Sequence, residues 1–206
     1  MDVHFSFDAT CPWTWLTSRW LVDVADHRGL AVGWHSLSLA VLNEGKPFPP
    51  EQLAAVPDLP DRQALGVGVL RVVESLREAG RNDDAGRLYT EFGLRLHAQG
   101  LAPEPGLLAG AAAAAGVEDH LAAADDESWD APVRASTEDA VARGGPDVGS
   151  PVLVLDGHEG GAFGPIVSPP PQGEDAVRLW DALVTLHSLP TFYEIKRGRT
   201  GPPDLT

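Results

Sequence analysis

The chain has 206 residues, is 43% hydrophobic and carries a formal net charge of −15. That length fits one domain, or one domain with a large insertion, and the charge excludes the clustered basic surface needed for nucleic acid or an anionic membrane. The single cysteine excludes an internal disulfide, and no apolar run approaches the roughly 20 residues of a membrane span.

Residues 3–7 alternate Val3, Phe5 and Phe7 with His4 and Ser6, the period of a first strand. Residues 12–27 read as a helix. Pro12 suits its first turn, where a missing N–H costs nothing. Leu16, Trp20 and Val24 recur every fourth position and make a buried stripe, and Gly29 is the stop. Residues 30–39 read as a second strand with Val32, Trp34 and Leu37 towards the core. Strand, helix, strand at this spacing is a βαβ unit with a parallel pair.

From Val41 to Val148 the pattern changes. Pro47, Pro49 and Pro50 break the chain, and helical periodicity follows in Leu65, Val69, Val72, Val73 and Leu76, then in Leu88, Phe92 and Leu96. Asp61 and Asn82 are candidate N-caps. Residues 107–116 are alanine-rich and helix-forming, and a further helix covers residues 129–143. Residues 152–155 are a short apolar strand. The glycine-rich stretch 156–161 is a turn, and residues 162–167 complete a hairpin. Residues 174–189 form a last amphipathic helix, with Val177, Trp180, Leu183, Val184 and Leu186 on or near its apolar face. The tail, rich in glycine and proline, reads as mobile.

The order is therefore β-α-β, a helical insert, then β-β-α: an α/β thioredoxin fold carrying a large inserted α-helical domain. Residues 1–40 and 149–195 make the thioredoxin-like domain, 41–148 the insert and 196–206 the tail. Cys11 falls where the first strand hands over to the first helix. A sulfur there faces unpaired N–H groups of the helix start, whose dipole favours an anion. The expectation is a thiol pKa lowered below the free value of about 8.5, with a reactive thiolate. Asp8 turns the chain before the helix, and its charge opposes that ionisation. The seven histidines are dispersed with no metal-ligand spacing, so no metal site is expected. Gly66-x-Gly68 lies inside a helical pattern and lacks the third glycine of a dinucleotide loop.

Several blocks, Phe7-Asp8, Cys11-Pro12-Trp13, Thr17-Ser18-Arg19-Trp20, Val148-Gly149-Ser150-Pro151 and Phe163-Gly164-Pro165, resemble the DsbA-like branch of the thioredoxin superfamily. Within it the chain is most similar to the actinobacterial mycothiol-dependent nitroreductases. The resemblance implies that Pro151 is a cis-proline facing the thiol, that a helical lid covers it, and that the protein is a homodimer. It also implies a low-molecular-weight thiol, mycothiol, as cosubstrate, with no tightly bound cofactor. The family's Cys-x-x-Cys is here Cys11-Pro12-Trp13-Thr14, so Cys11 cannot resolve its own mixed disulfide and an external thiol must.

The site so read has Cys11 as nucleophile with Thr14 as hydrogen-bond donor to sulfur, and Pro12, Trp13, Ser150 and Pro151 as the binding cleft. Trp13 and Trp15 also fit as plain core aromatics. The leading reading is a cytoplasmic oxidoreductase that reduces disulfides or small electrophiles with an external thiol. Two alternatives stand beside it: a kappa-type thiol transferase or isomerase on the same fold, and a non-catalytic thioredoxin-like binding protein.

Overall fold

The computed structural model describes residues 2–158 and 160–205. A four-stranded sheet of β1 (Val3–Phe7), β2 (Val32–Ser36), β3 (Val152–Leu155) and β4 (Ala162–Phe163) runs in the order β2-β1-β3-β4. β1 pairs in parallel with β2 and antiparallel with β3, and β3 pairs antiparallel with β4. Helix α1 (Pro12–Arg28) connects β1 to β2, and α8 (Gly173–His187) follows the sheet. Between β2 and β3 the described chain is helical, with α2 (Leu39–Leu42), α3 (Pro50–Ala55), α4 (Leu59–Glu78), α5 (Asn82–Gly93), α6 (Pro105–Ala115) and α7 (Asp130–Gly144) as its α-helices. This is the thioredoxin fold with a helical insertion.

Strand alternation sorts the two sheet faces. Phe5 lies between Trp34 and Leu153, and Val3 between Val32 and Leu155. That face meets the main core, which also takes Leu16, Trp20 and Val24 of α1 and Val69, Leu88 and Phe92 of the insert. Sheet and insert therefore share one hydrophobic core. On the opposite face Val152 and Val154 pack with Leu37 and with Ala140 of α7.

Helix α1 ends as its sequence indicates, with Gly29 left-handed at φ 66°. It is tied to α8 by the Trp20 indole N–H, which donates to the Ala176 carbonyl at 3.0 Å, and by Asp23, whose carboxylate accepts from the Gly173 N–H at 2.8 Å. Glycines let α5 approach both neighbours. A Cβ at Gly86 would lie 2.3 Å from the Trp34 ring, and one at Gly93 would lie 2.2 Å from Trp15.

Four expectations need correction. The second strand covers Val32–Ser36 only, because Ser38 leaves it to cap α2, accepting from the Val41 N–H. Neither Asp61 nor Asn82 is an N-cap; those positions are Asp58 and Arg81. Asn82 has another use: its amide accepts from Trp34 N and donates to Val32 O. β2 is an edge strand, and this amide closes its open hydrogen-bonding side as a further strand would. β4 stops at Phe163, because Gly164 turns to φ 97° and Pro165 has no N–H to extend the ladder. Finally, α8 docks through Ala176 and Trp180 with Leu179 and Leu183 beside them, while Val184 stays 37% exposed.

Candidate functional site

Cys11 is the N-cap residue of α1 and Pro12 its first helical residue. The sulfur points across to Ser150, whose carbonyl accepts from the thiol at 3.9 Å. The Ser150–Pro151 peptide bond is cis. Beneath the sulfur lies a buried polar floor. The Ser150 hydroxyl accepts from the Asp8 N–H at 2.8 Å and shares a hydrogen bond of 2.8 Å with the Thr14 hydroxyl. Asp8 is 4% exposed. Its carboxylate accepts from the Thr10 N–H and hydroxyl and from Leu39 N–H, each at 2.8 Å. One carboxylate thus joins the cysteine loop to the start of the insert.

The structure brings Cys11, Thr14, Ser150 and Pro151 together. Trp13 is half-buried, with the Arg199 guanidinium carbon 4.3 Å from its ring centroid. Trp15 is core: it stacks on His97 at 5.8 Å and meets Tyr89 edge-on.

The protonation of Cys11 is not what the helix start alone predicts. Burial pushes the thiol up and Asp8 adds to the rise, while the Thr14 hydroxyl and the N–H groups of Thr14 and Trp13 pull it down. No capping hydrogen bond from the sulfur forms. The residue keeps intermediate exposure, so the rise reflects the protein packed around the sulfur and not complete exclusion of water. The Ser150 carbonyl adds a contact that only the neutral thiol can make. It accepts from S–H but repels S⁻, so ionisation exchanges that contact for the helix-start donors. Asp8 is itself pushed up by burial, against the hydrogen bonds from Leu39, Thr10 and Cys11 that favour its charge.

Three contacts around the site were not legible from the sequence. His97 is buried and its Nε2 donates to the Ala9 carbonyl at 3.1 Å; burial lowers its pKa to about 4, so the ring is neutral near pH 7. The Thr17 hydroxyl lies 2.7 Å from the Pro165 carbonyl and 3.0 Å from that of Trp13, tying α1 to the loop after β4. The Arg199–Trp13 contact brings in the tail. Gly66 packs against Thr10, where a Cβ would sit 2.8 Å from the threonine methyl; this accounts for a glycine inside α4 without a nucleotide. Among the described residues no group of three or more metal-ligating side chains forms, and no helix is long and apolar enough to cross a membrane.

Fold and site together define a DsbA-like protein of the thioredoxin class, with one thiol at the start of α1. Within that class the chain belongs to the Rv2466c-like family, described as mycothiol-dependent nitroreductase Rv2466c, whose model matches residues 10–197. Rv2286c of Mycobacterium tuberculosis is 32% identical over 208 residues, covering 98% of this chain and 84% of the relative. Two solved structures share the fold. A 2-hydroxychromene-2-carboxylate isomerase matches with TM-score 0.57 and 18% identity, covering 90% of this chain and 95% of its own. The probable DsbA oxidoreductase SCO1869 from Streptomyces coelicolor matches with TM-score 0.55 and 20% identity, covering 97% and 96%.

Proposed function

We propose that the protein is a monothiol oxidoreductase in which Cys11 works with an external low-molecular-weight thiol, mycothiol, to reduce disulfides or small electrophiles. The observation that carries this reading is the partly buried Cys11 at the start of α1, its sulfur facing Ser150 beside a cis-proline, in a chain of a mycothiol-dependent family. For a disulfide, Cys11 Sγ attacks one sulfur, the S–S bond breaks, and the second sulfur leaves as a thiolate that takes up a proton. A thiol cosubstrate then attacks the mixed disulfide and frees Cys11. A second cosubstrate thiol completes the balance, so two thiols become one disulfide for each disulfide reduced.

Thr14 stands where a second cysteine would resolve the adduct. Its hydroxyl instead favours sulfur in its ionised form and fixes Ser150. Pro12, Trp13, Ser150 and Pro151 form the cleft, and residues 41–148 act as the substrate-selecting insert. The reading places the enzyme in the cytoplasm, where small thiols are kept reduced.

The raised Cys11 pKa favours a second reading, a kappa-type thiol transferase or isomerase. There the helix start activates the cosubstrate's thiol, and Cys11 forms no covalent bond. Mass spectrometry after exposure to oxidised mycothiol, on the native chain and on Cys11→Ser, separates them. The oxidoreductase gives an adduct at Cys11 that free mycothiol removes, and no turnover in Cys11→Ser. Turnover retained in Cys11→Ser, without an adduct in the native chain, overturns it in favour of the transferase.

A further inference from the structure

Among the described residues, two of the three arginines without an acidic partner lie in the tail, one of them against the ring of Trp13, two residues past Cys11. With a net charge of −15, carboxylates are abundant, and the arginines find them. Among the described residues every arginine except Arg19, Arg197 and Arg199 stands within ion-pair distance of an acidic side chain. Arg19 is satisfied inside the fold, donating to Ser18 and Thr90 with its guanidinium 4.1 Å from the Trp15 ring centroid. Arg197 and Arg199, with Lys196, are different: they are exposed and unpaired, and lie together in a tail of a protein that is acidic elsewhere.

That tail is fastened at Arg199 and again beyond it. Its guanidinium lies over Trp13, two residues past Cys11. Further on, the Asp204 N–H donates to the Ser168 hydroxyl at 2.8 Å and Leu205 packs against the main core. The stretch Lys196, Arg197, Gly198 and Arg199 curls around an open hollow of about 440 Å³. The contact with Trp13 holds the Arg199 guanidinium while leaving its N–H donors without an acidic partner, an arrangement suited to a carboxylate.

We propose that this basic strap is the anion-recognition element of the thiol cleft, and that the enzyme prefers disulfides, thiols or electrophiles bearing a carboxylate over neutral ones of the same size. The inference rests on Cys11 being the thiol of the site. The chemistry at sulfur is unchanged; the strap raises the local concentration of anionic reactants.

A matched pair of reagents tests it. Iodoacetate and iodoacetamide both transfer a carbon to Cys11 Sγ with loss of iodide, and differ mainly in charge. Rates are measured on the native chain and on the triple variant Lys196→Gln, Arg197→Gln, Arg199→Gln, each normalised to N-acetylcysteine. The protein's overall negative charge alone would make the normalised iodoacetate to iodoacetamide ratio fall below one. The strap makes it rise above one, by about tenfold at low ionic strength, and the rise collapses in the triple variant and in 1 M salt, where the screening length is about 3 Å. A ratio below one in the native chain, a ratio unchanged in the variant, or no alkylation by either reagent overturns the proposal. These readouts need no mixed disulfide, so failure of the oxidoreductase reading would show separately as an absent adduct with oxidised mycothiol.

Discussion

The floor and the rim of the thiol cleft are built by opposite physics. The floor is Asp8, Thr14 and Ser150: buried and joined by hydrogen bonds of 2.8 Å. The rim at the tail is Lys196 to Arg199: exposed, held by a ring contact and a distant backbone hydrogen bond. In the buried floor each polar group depends on its neighbours, because an unpaired one costs about 1–3 kcal/mol. At the wet rim a lost contact costs little, since water replaces it. The floor therefore sets stability and the protonation of sulfur, and the rim can vary to select what arrives.

The largest effect is expected beside the floor, at His97. Its folded-state pKa of about 4 lies below the ordinary 6.5. The group costs nothing above pH 6.5, and as pH falls towards 4 the unfolded chain takes up the proton that the fold refuses. Stability should drop by about 3 kcal/mol over that window. Urea midpoints from pH 7 to 4 should show a flatter decline in His97→Gln, and equal slopes would remove His97 as the acid-sensitive group.

Close behind comes Gly93→Ala. The added Cβ meets the Trp15 ring at 2.2 Å, and with backbone and a buried ring both resisting, about 2–3 kcal/mol of stability should be lost. A thermal midpoint within a degree of the native value would show that Trp15 moves freely.

Ser150→Ala leaves the Asp8 N–H and the Thr14 hydroxyl without their shared partner. About 2 kcal/mol should go, with slower alkylation of Cys11 as Thr14 loses its anchor. Loss of stability with unchanged alkylation would separate the floor's two roles.

Asp8→Asn removes the charge that raises the Cys11 pKa. The pH at half-maximal alkylation should move down, at a stability cost of about 1 kcal/mol because an amide cannot accept from all three donors. An upward move would reverse the sign assigned to Asp8.

Smallest is Arg199→Gln, expected to change stability by less than about 0.5 kcal/mol while reducing selectivity for anionic reagents. A stability loss as large as that of Ser150→Ala would make the tail part of the fold and end the contrast between floor and rim.

Periodicity made much of the fold readable. β1 and β3 lie at the bounds expected, and the stripe Leu16, Trp20 and Val24 is buried, because each pattern is local and its period reports one face. Cys11 at the strand–helix junction was legible for the same reason. What failed were features whose partners are distant. Asn82 looks like a cap in its own neighbourhood, yet it serves β2, 48 residues earlier at Trp34. Val184 belongs to the apolar stripe by spacing, but α8 docks through Ala176 and Trp180 and leaves it exposed. The tail's composition says nothing of Trp13.

The sequence by itself determined the order of elements, the helical insertion and the position of the one thiol, since these follow from short-range periodicity and from glycine and proline at the boundaries. Only the tertiary structure decided the state of that thiol. Ser150, 139 residues away, turns its carbonyl on the sulfur, and burial under the packed chain pushes the thiol up. Desolvation and charge depend on what is packed nearby in space, and no local pattern along the chain encodes that.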